Sequence, residues 1–160
     1  MVLTFSEKEA IQHILEEYLE HPLVQEMKEY IQHGTVTTYD HCCNVVRVCM
    51  WMNRRFKLKA DERELLIGAL LHDFYLYDWH IKEGRTGLHG YTHPEAALKN
   101  AKQYFFLSEK QEQIILSHMW PLTLTKLPKC REALIVCLAD KYCSTLETIA
   151  QRKESYKICG

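Results

Sequence analysis

Apolar positions recur every three to four residues along almost the whole chain, the spacing that gives an α-helix one buried face. Ala10, Ile11, Ile14, Leu15, Tyr18 and Leu19 form the first such stripe, and Ser6 with Glu9 ahead of it has the pattern of a capping box. His21-Pro22 interrupts the stripe, and Pro22 suits the first turn of a second helix stopping near Gly34. Thr38 is placed to cap a third helix running to about Arg55. Asp61 with Glu64 opens a fourth, which carries LLIGALLHD and is predicted to end near Trp79. Gly84, Gly87 and Gly90 mark a loop, and Pro94 suits the first turn of a fifth helix reaching about Phe106. Ser108 with Gln111 caps a sixth, ending near His118; Met119–Lys129 carries two prolines and reads as a loop. A last helix is predicted from Arg131 to about Arg152. No alternating strand pattern of useful length appears. The pattern predicts an all-α fold of about seven helices in a single domain over 1–160, with a core at about 38–146, N-terminal helices within 6–33, and irregular stretches at 78–92 and 119–130.

Composition narrows the classes rather than the chemistry. A chain of 160 residues is large enough for one real core. Twenty Lys and Arg stand against 21 Asp and Glu, a formal charge of −1, and the basic residues are scattered. No global field points to nucleic acid or to anionic lipid. MVLTFSEKEA lacks the basic-then-apolar pattern of a secretory leader, and no apolar run approaches the length of a membrane span. The seven cysteines include no C-x-x-C pair. They read as reduced, mostly buried thiols of a cytoplasmic protein, which disfavours a cysteine zinc site.

The informative residues are ionisable ones set among apolar neighbours. His72 and Asp73 close the run LLIGALLHD, and a carboxylate there needs a partner, because an unpaired charge out of water is costly. Asp140 raises the same question inside ALIVCLADKYC. His41 lies in the first turns of helix three, His93 opens helix five, and His118 closes helix six. A shared metal site would answer both carboxylates at once. Imidazole with carboxylate suits Fe, Mn or Zn, and carboxylate with water suits Mg. Neighbouring residues at a helix end project about 100° apart, so His72 can serve one ion while Asp73 reaches between two.

The order His41, His72-Asp73, Asp140 resembles the HD superfamily of metal-dependent phosphohydrolases, over roughly Thr38 to Leu146. LLHD after a buried helix and the ADK of LADKYCS are similar to that family's surroundings. The resemblance implies an all-helical HD domain in which these four residues ligate metal. The family's dinuclear members carry extra histidines between the HD pair and the final Asp. His93 in HPEAA and His118 in ILSHMWP look like that pair, with His89 as a weaker competitor to His93. The arrangement is similar to small HD hydrolases that split dinucleoside tetraphosphates, from which 78–91 and MWPLTLTKLPKC depart.

The implied activity is hydrolysis of a nucleotide or related phosphoester by a metal-activated hydroxide. It rests on two divalent ions held by His41, His72, Asp73, His93, His118 and Asp140, with Asp73 as the bridging catalytic group. His80, Lys82, Arg85 and Lys141 are candidates to meet phosphate, and Trp51, Trp79, Trp120 and Tyr91 to stack on a base. Asn44 and Ser144, one turn from His41 and Asp140, are candidate supports. The expected partner is a small phosphorylated molecule, with no membrane and no clear nucleic-acid surface; the ligand set leaves the oligomeric state open. Two other functions share these ligands: a di-iron oxygenase on the same fold, and a catalytically silent nucleotide-binding domain.

Overall fold

The computed structural model describes residues 2–81 and 87–158, with side chains through residue 151. Its elements are α1 (Phe5–Leu19), α2 (Pro22–Glu26), β1 (Ile31–His33), β2 (Val36–Thr37), α3 (Thr38–Arg55), α4 (Glu62–Leu71), α5 (His89–Tyr104), α6 (Glu109–Ser117) and α7 (Arg131–Ile158), with one 3₁₀ turn at Met27–Glu29.

Helix α4 is the axis of the domain. Its residues Leu65 to Leu71 are all buried, and it packs against α1, α3, α5, α6 and α7. Gly68 permits the closest of these approaches: a Cβ there would lie 2.6 Å from Ile114 Cδ1 and 2.8 Å from its Cγ2 on α6. Asp61 caps α4 by accepting the Glu64 N–H, and Ser108 and Gln111 form the expected capping box of α6.

Several boundaries differ from the sequence pattern. The capping box of α1 is Thr4 with Glu7, since the Glu7 carboxylate accepts the Thr4 N–H at 2.7 Å; Ser6 lies inside the helix. The second helix stops at Glu26 and is followed by an antiparallel two-stranded hairpin, turned at Gly34 with φ +63°. That hairpin is the only sheet among the described residues. Its strands have three and two residues, too short for an alternating pattern to show. Helix α4 ends at Leu71, not near Trp79: the Asn100 side-chain amide donates to the carbonyls of Phe74 and Tyr75, at 3.2 and 2.9 Å, and Leu76 turns the chain at φ +54°. Helix α5 begins at His89, so Pro94 lies inside it and Gly90 is helical, 3.1 Å from Leu122 through a would-be Cβ. Thr37, rather than Thr38, caps α3.

Among the described residues no helix is long and apolar enough to cross a membrane. Six cysteines, at 42, 43, 49, 130, 137 and 143, are free, and four of them are buried.

Candidate metal centre

Every one of the six expected ligands arrives at one place. His41 comes from the first turn of α3, His72 and Asp73 from the end of α4, His93 from α5, His118 from the cap of α6, and Asp140 from the middle of α7. All are buried, between 0% exposed for His41 and His72 and 7% for Asp140. Their donor atoms fall into two groups of three: His41, His72 and Asp140, and Asp73, His93 and His118. Within each group the atoms lie within 4.8 Å of one another.

Asp73 joins the groups, one oxygen to each. Its Oδ1 is 3.2 Å from His93 Nε2 and 3.4 Å from His118 Nε2. Its Oδ2 is 3.5 Å from His72 Nε2 and 3.9 Å from His41 Nε2. Asp140 Oδ1 lies 3.2 Å from His41 Nε2 and 4.0 Å from His72 Nε2.

The chain also fixes which nitrogen each histidine presents. His72 Nδ1 is 2.7 Å from the Ala69 carbonyl, His93 Nδ1 is 2.8 Å from that of His89, and His118 Nδ1 is 2.7 Å from that of Ile115. A carbonyl only accepts, so each Nδ1 carries the proton and each Nε2 offers a lone pair. His41 Nδ1 is held instead by the Glu147 carboxylate at 2.8 Å, and Asn44 donates to the other Glu147 oxygen at 3.2 Å. A carboxylate behind a histidine raises its basicity as a ligand.

Electrostatics mark the same atoms. Burial disfavours a charged His41, yet its bonds to Asp140 and Glu147 prevail and hold its pKa at about 10. Burial pushes His72 down to about 4, with Asp73 only partly opposing. Burial would raise Asp73, but His72 and His93 around it keep its pKa well below the usual carboxylate range. Asp140 is lowered too, against its burial, chiefly by the hydrogen bond with His41.

These donors fit a divalent cation. His72 Nε2 and Asp73 Oδ1 are buried with no hydrogen-bond partner, an expensive state for polar atoms. His93 Nε2 and His118 Nε2 face each other at 2.8 Å, and with both Nδ1 atoms protonated only one proton can lie between them. Two ligands about 2.1 Å from a shared ion at right angles stand roughly 3 Å apart, close to that separation. No thiolate joins the set: Cys42 Sγ, 3.8 Å from His72 Nδ1, is buried and its thiol pKa is raised well above normal.

The family model for the HD domain matches residues 38–145. The chain belongs to the HD-domain family. No curated protein and no solved structure gives a match. In this HD domain the spacing His41, His72-Asp73, Asp140 closes one group of donors and supplies one member of the next, which His93 and His118 complete.

The remaining candidates divide. Lys141 reaches the centre's edge: its Nζ donates to the His118 carbonyl at 2.8 Å and stands 3.7 Å from Asp140 Oδ2. His80 lies farther out, about half-exposed, bonded to Asp78 at 2.9 Å and stacked on Trp79. Trp79 stacks on His89, and His89 on His93, so a row of four rings leads from His80 to the centre. His89 therefore supports His93, through its ring and its carbonyl, rather than competing with it. Lys82 and Arg85 lie outside the described residues. Ser144 donates to Asp140 Oδ1 at 3.1 Å. Trp51 packs on Phe56 at the far end of α3, away from the six.

Two residues at the site went unread in the sequence. Glu147 is seven residues past Asp140 on the same helix face, a spacing that could have revealed it. Gln32, whose amide nitrogen donates to Asp73 Oδ2 at 2.7 Å, sits on a hairpin strand of three residues and left no such trace.

Proposed function

We propose that this HD domain is a metal-dependent phosphohydrolase that holds two divalent ions and acts on a nucleotide or related phosphoester. The observation that carries the reading is Asp73, whose two oxygens face two separate groups of buried donors. His41, His72 and Asp140 would hold one ion, His93 and His118 the other, and Asp73 both. Divalent ions in such a pair polarise a phosphoryl oxygen and lower the pKa of water to make it a nucleophile at neutral pH. The chain's own part is to orient. The carbonyls of Ala69, His89 and Ile115 aim three imidazoles, and Glu147 aims the fourth. Lys141, pinned to the His118 carbonyl, offers an ammonium beside Asp140 for a phosphate oxygen. The free cysteines support a reducing, cytoplasmic setting.

Metal analysis of protein purified without chelator tests this, beside a His93→Ala, His118→Ala double variant. The expected content is about two ions per chain, falling to about one in the variant, with phosphate release from nucleotides or phosphomonoesters under anaerobic conditions in Mn²⁺ or Fe²⁺. No uptake after incubation with both metals would leave a silent binding domain. Oxygen consumption without phosphate release would replace hydrolysis by oxygenase chemistry on the same ligands.

A further inference from the structure

Two side chains that hydrogen-bond the six donors lie outside the region that carries the family pattern: Glu147, on His41, and Gln32, on Asp73. Gln32 precedes the matched residues 38–145, is 7% exposed, and points from β1 into the centre. Its Nε2 donates to Asp73 Oδ2 at 2.7 Å. The other end of its amide is equally held: Oε1 accepts the Tyr75 O–H, and Thr38 Oγ1 lies 3.5 Å from Oε1 and 3.1 Å from the Tyr75 oxygen. The carboxylate only accepts, so the amide nitrogen, the donor, meets Asp73, and the hydroxyl groups, which can donate, meet Oε1. Asp73 Oδ1 receives no hydrogen bond from the chain. The two oxygens of one carboxylate are thereby made unlike, one tied to the hairpin and one left open towards His93 and His118.

We infer that Gln32 is a positioning residue that fixes the plane of the Asp73 carboxylate, keeping one oxygen on each group of donors. The inference rests on the metal-centre reading above. A carboxylate free to turn about its bond would present both oxygens to one group and none to the other. The group of His93 and His118 would suffer most, because Asp73 is its only anionic donor, whereas His41 and His72 keep Asp140. Thr38 and Tyr75 act one step further back, by holding the Gln32 amide.

Manganese binding isotherms on the metal-free 160-residue chain provide the test, comparing parent, Gln32→Leu, Gln32→Glu and Tyr75→Phe. Gln32→Leu is expected to bind the first ion as the parent does and the second roughly 10- to 100-fold more weakly. At saturating manganese kcat falls while KM for the phosphoester holds. Tyr75→Phe shifts the second ion in the same direction by less. Gln32→Glu, which keeps the shape but sets a second carboxylate against Asp73, does not rescue. Two unchanged binding steps and an unchanged kcat in Gln32→Leu would overturn the role of Gln32 while leaving the metal centre intact. A parent that binds no second ion would instead overturn both. If Gln32→Leu fails to fold, Tyr75→Phe decides: an unchanged second step there also overturns the inference.

Discussion

The two halves of the centre are built differently. His41, His72 and Asp140 stand on α3, α4 and α7, which pack against one another in the middle of the core. Helices α3 and α7 are regular where His41 and Asp140 sit, His72 caps α4, and a carboxylate, Glu147, backs His41. His93 and His118 stand beside irregular stretches: the described residues before α5, 74–81 and 87–88, are neither helix nor strand, and α6 runs into the turns from His118 to Cys130. Their supports are backbone carbonyls and a row of stacked rings. The comparison teaches that the first half is a by-product of core packing, while the second is an addition hung on the same α4 through Asp73.

Removing the shared residue should erase the difference. Asp73→Ala is expected to lower activity by about 10³-fold or more and to weaken both ions in a metal titration. Retained metal-dependent turnover would show that the halves are independent. Glu147→Leu should act on the first half alone, costing its ion roughly 10- to 100-fold in affinity and leaving the second step of the isotherm in place. The same half has a pH signature. His41 holds its proton up to about 10 in the metal-free chain, and an ion must displace that proton. Affinity for the first ion should therefore rise by about tenfold per pH unit below that value and flatten above it; a titration flat in pH would remove the His41 proton from the account. The smallest effect is mechanical. In Gly68→Ala the new Cβ meets Ile114 at 2.6 and 2.8 Å, so α6, and His118 with it, must move away from α4. The overpacking costs about 1–3 kcal/mol, partly offset by about 1 kcal/mol of helix propensity. Calorimetry should show a Tm lower by a few degrees, with the second ion weakened more than the first. An unchanged Tm would mean that the side chain of Ile114 accommodates the methyl alone.

The sequence pointed to the six candidate donors because each is an ionisable residue where an apolar one would be ordinary. His72-Asp73 after seven buried positions and Asp140 within LIVCLADKYC are anomalies that a core reading cannot absorb. What escaped was held by longer-range packing. The end of α4 depends on Asn100, 26 residues away, and nothing in FYLYDW forbids another helical turn. Gln32 reaches a partner 41 residues on from a strand too short to have a pattern. Glu147 resembles any solvated helix carboxylate until α3 is packed beside it.

The closure of the donors has a consequence for how the proposed centre would acquire a metal. None of the six is more than 7% exposed as a whole residue, and the Asp140 side chain, at 10%, is the most open of them, so an ion held there would be screened from solvent. Slow exchange would leave the affinity order of first-row metals little time to assert itself. The ion such a molecule carried would then record which metal was abundant when its helices closed, and preparations from differently supplied cells would be expected to differ in content while being one protein in sequence and shape.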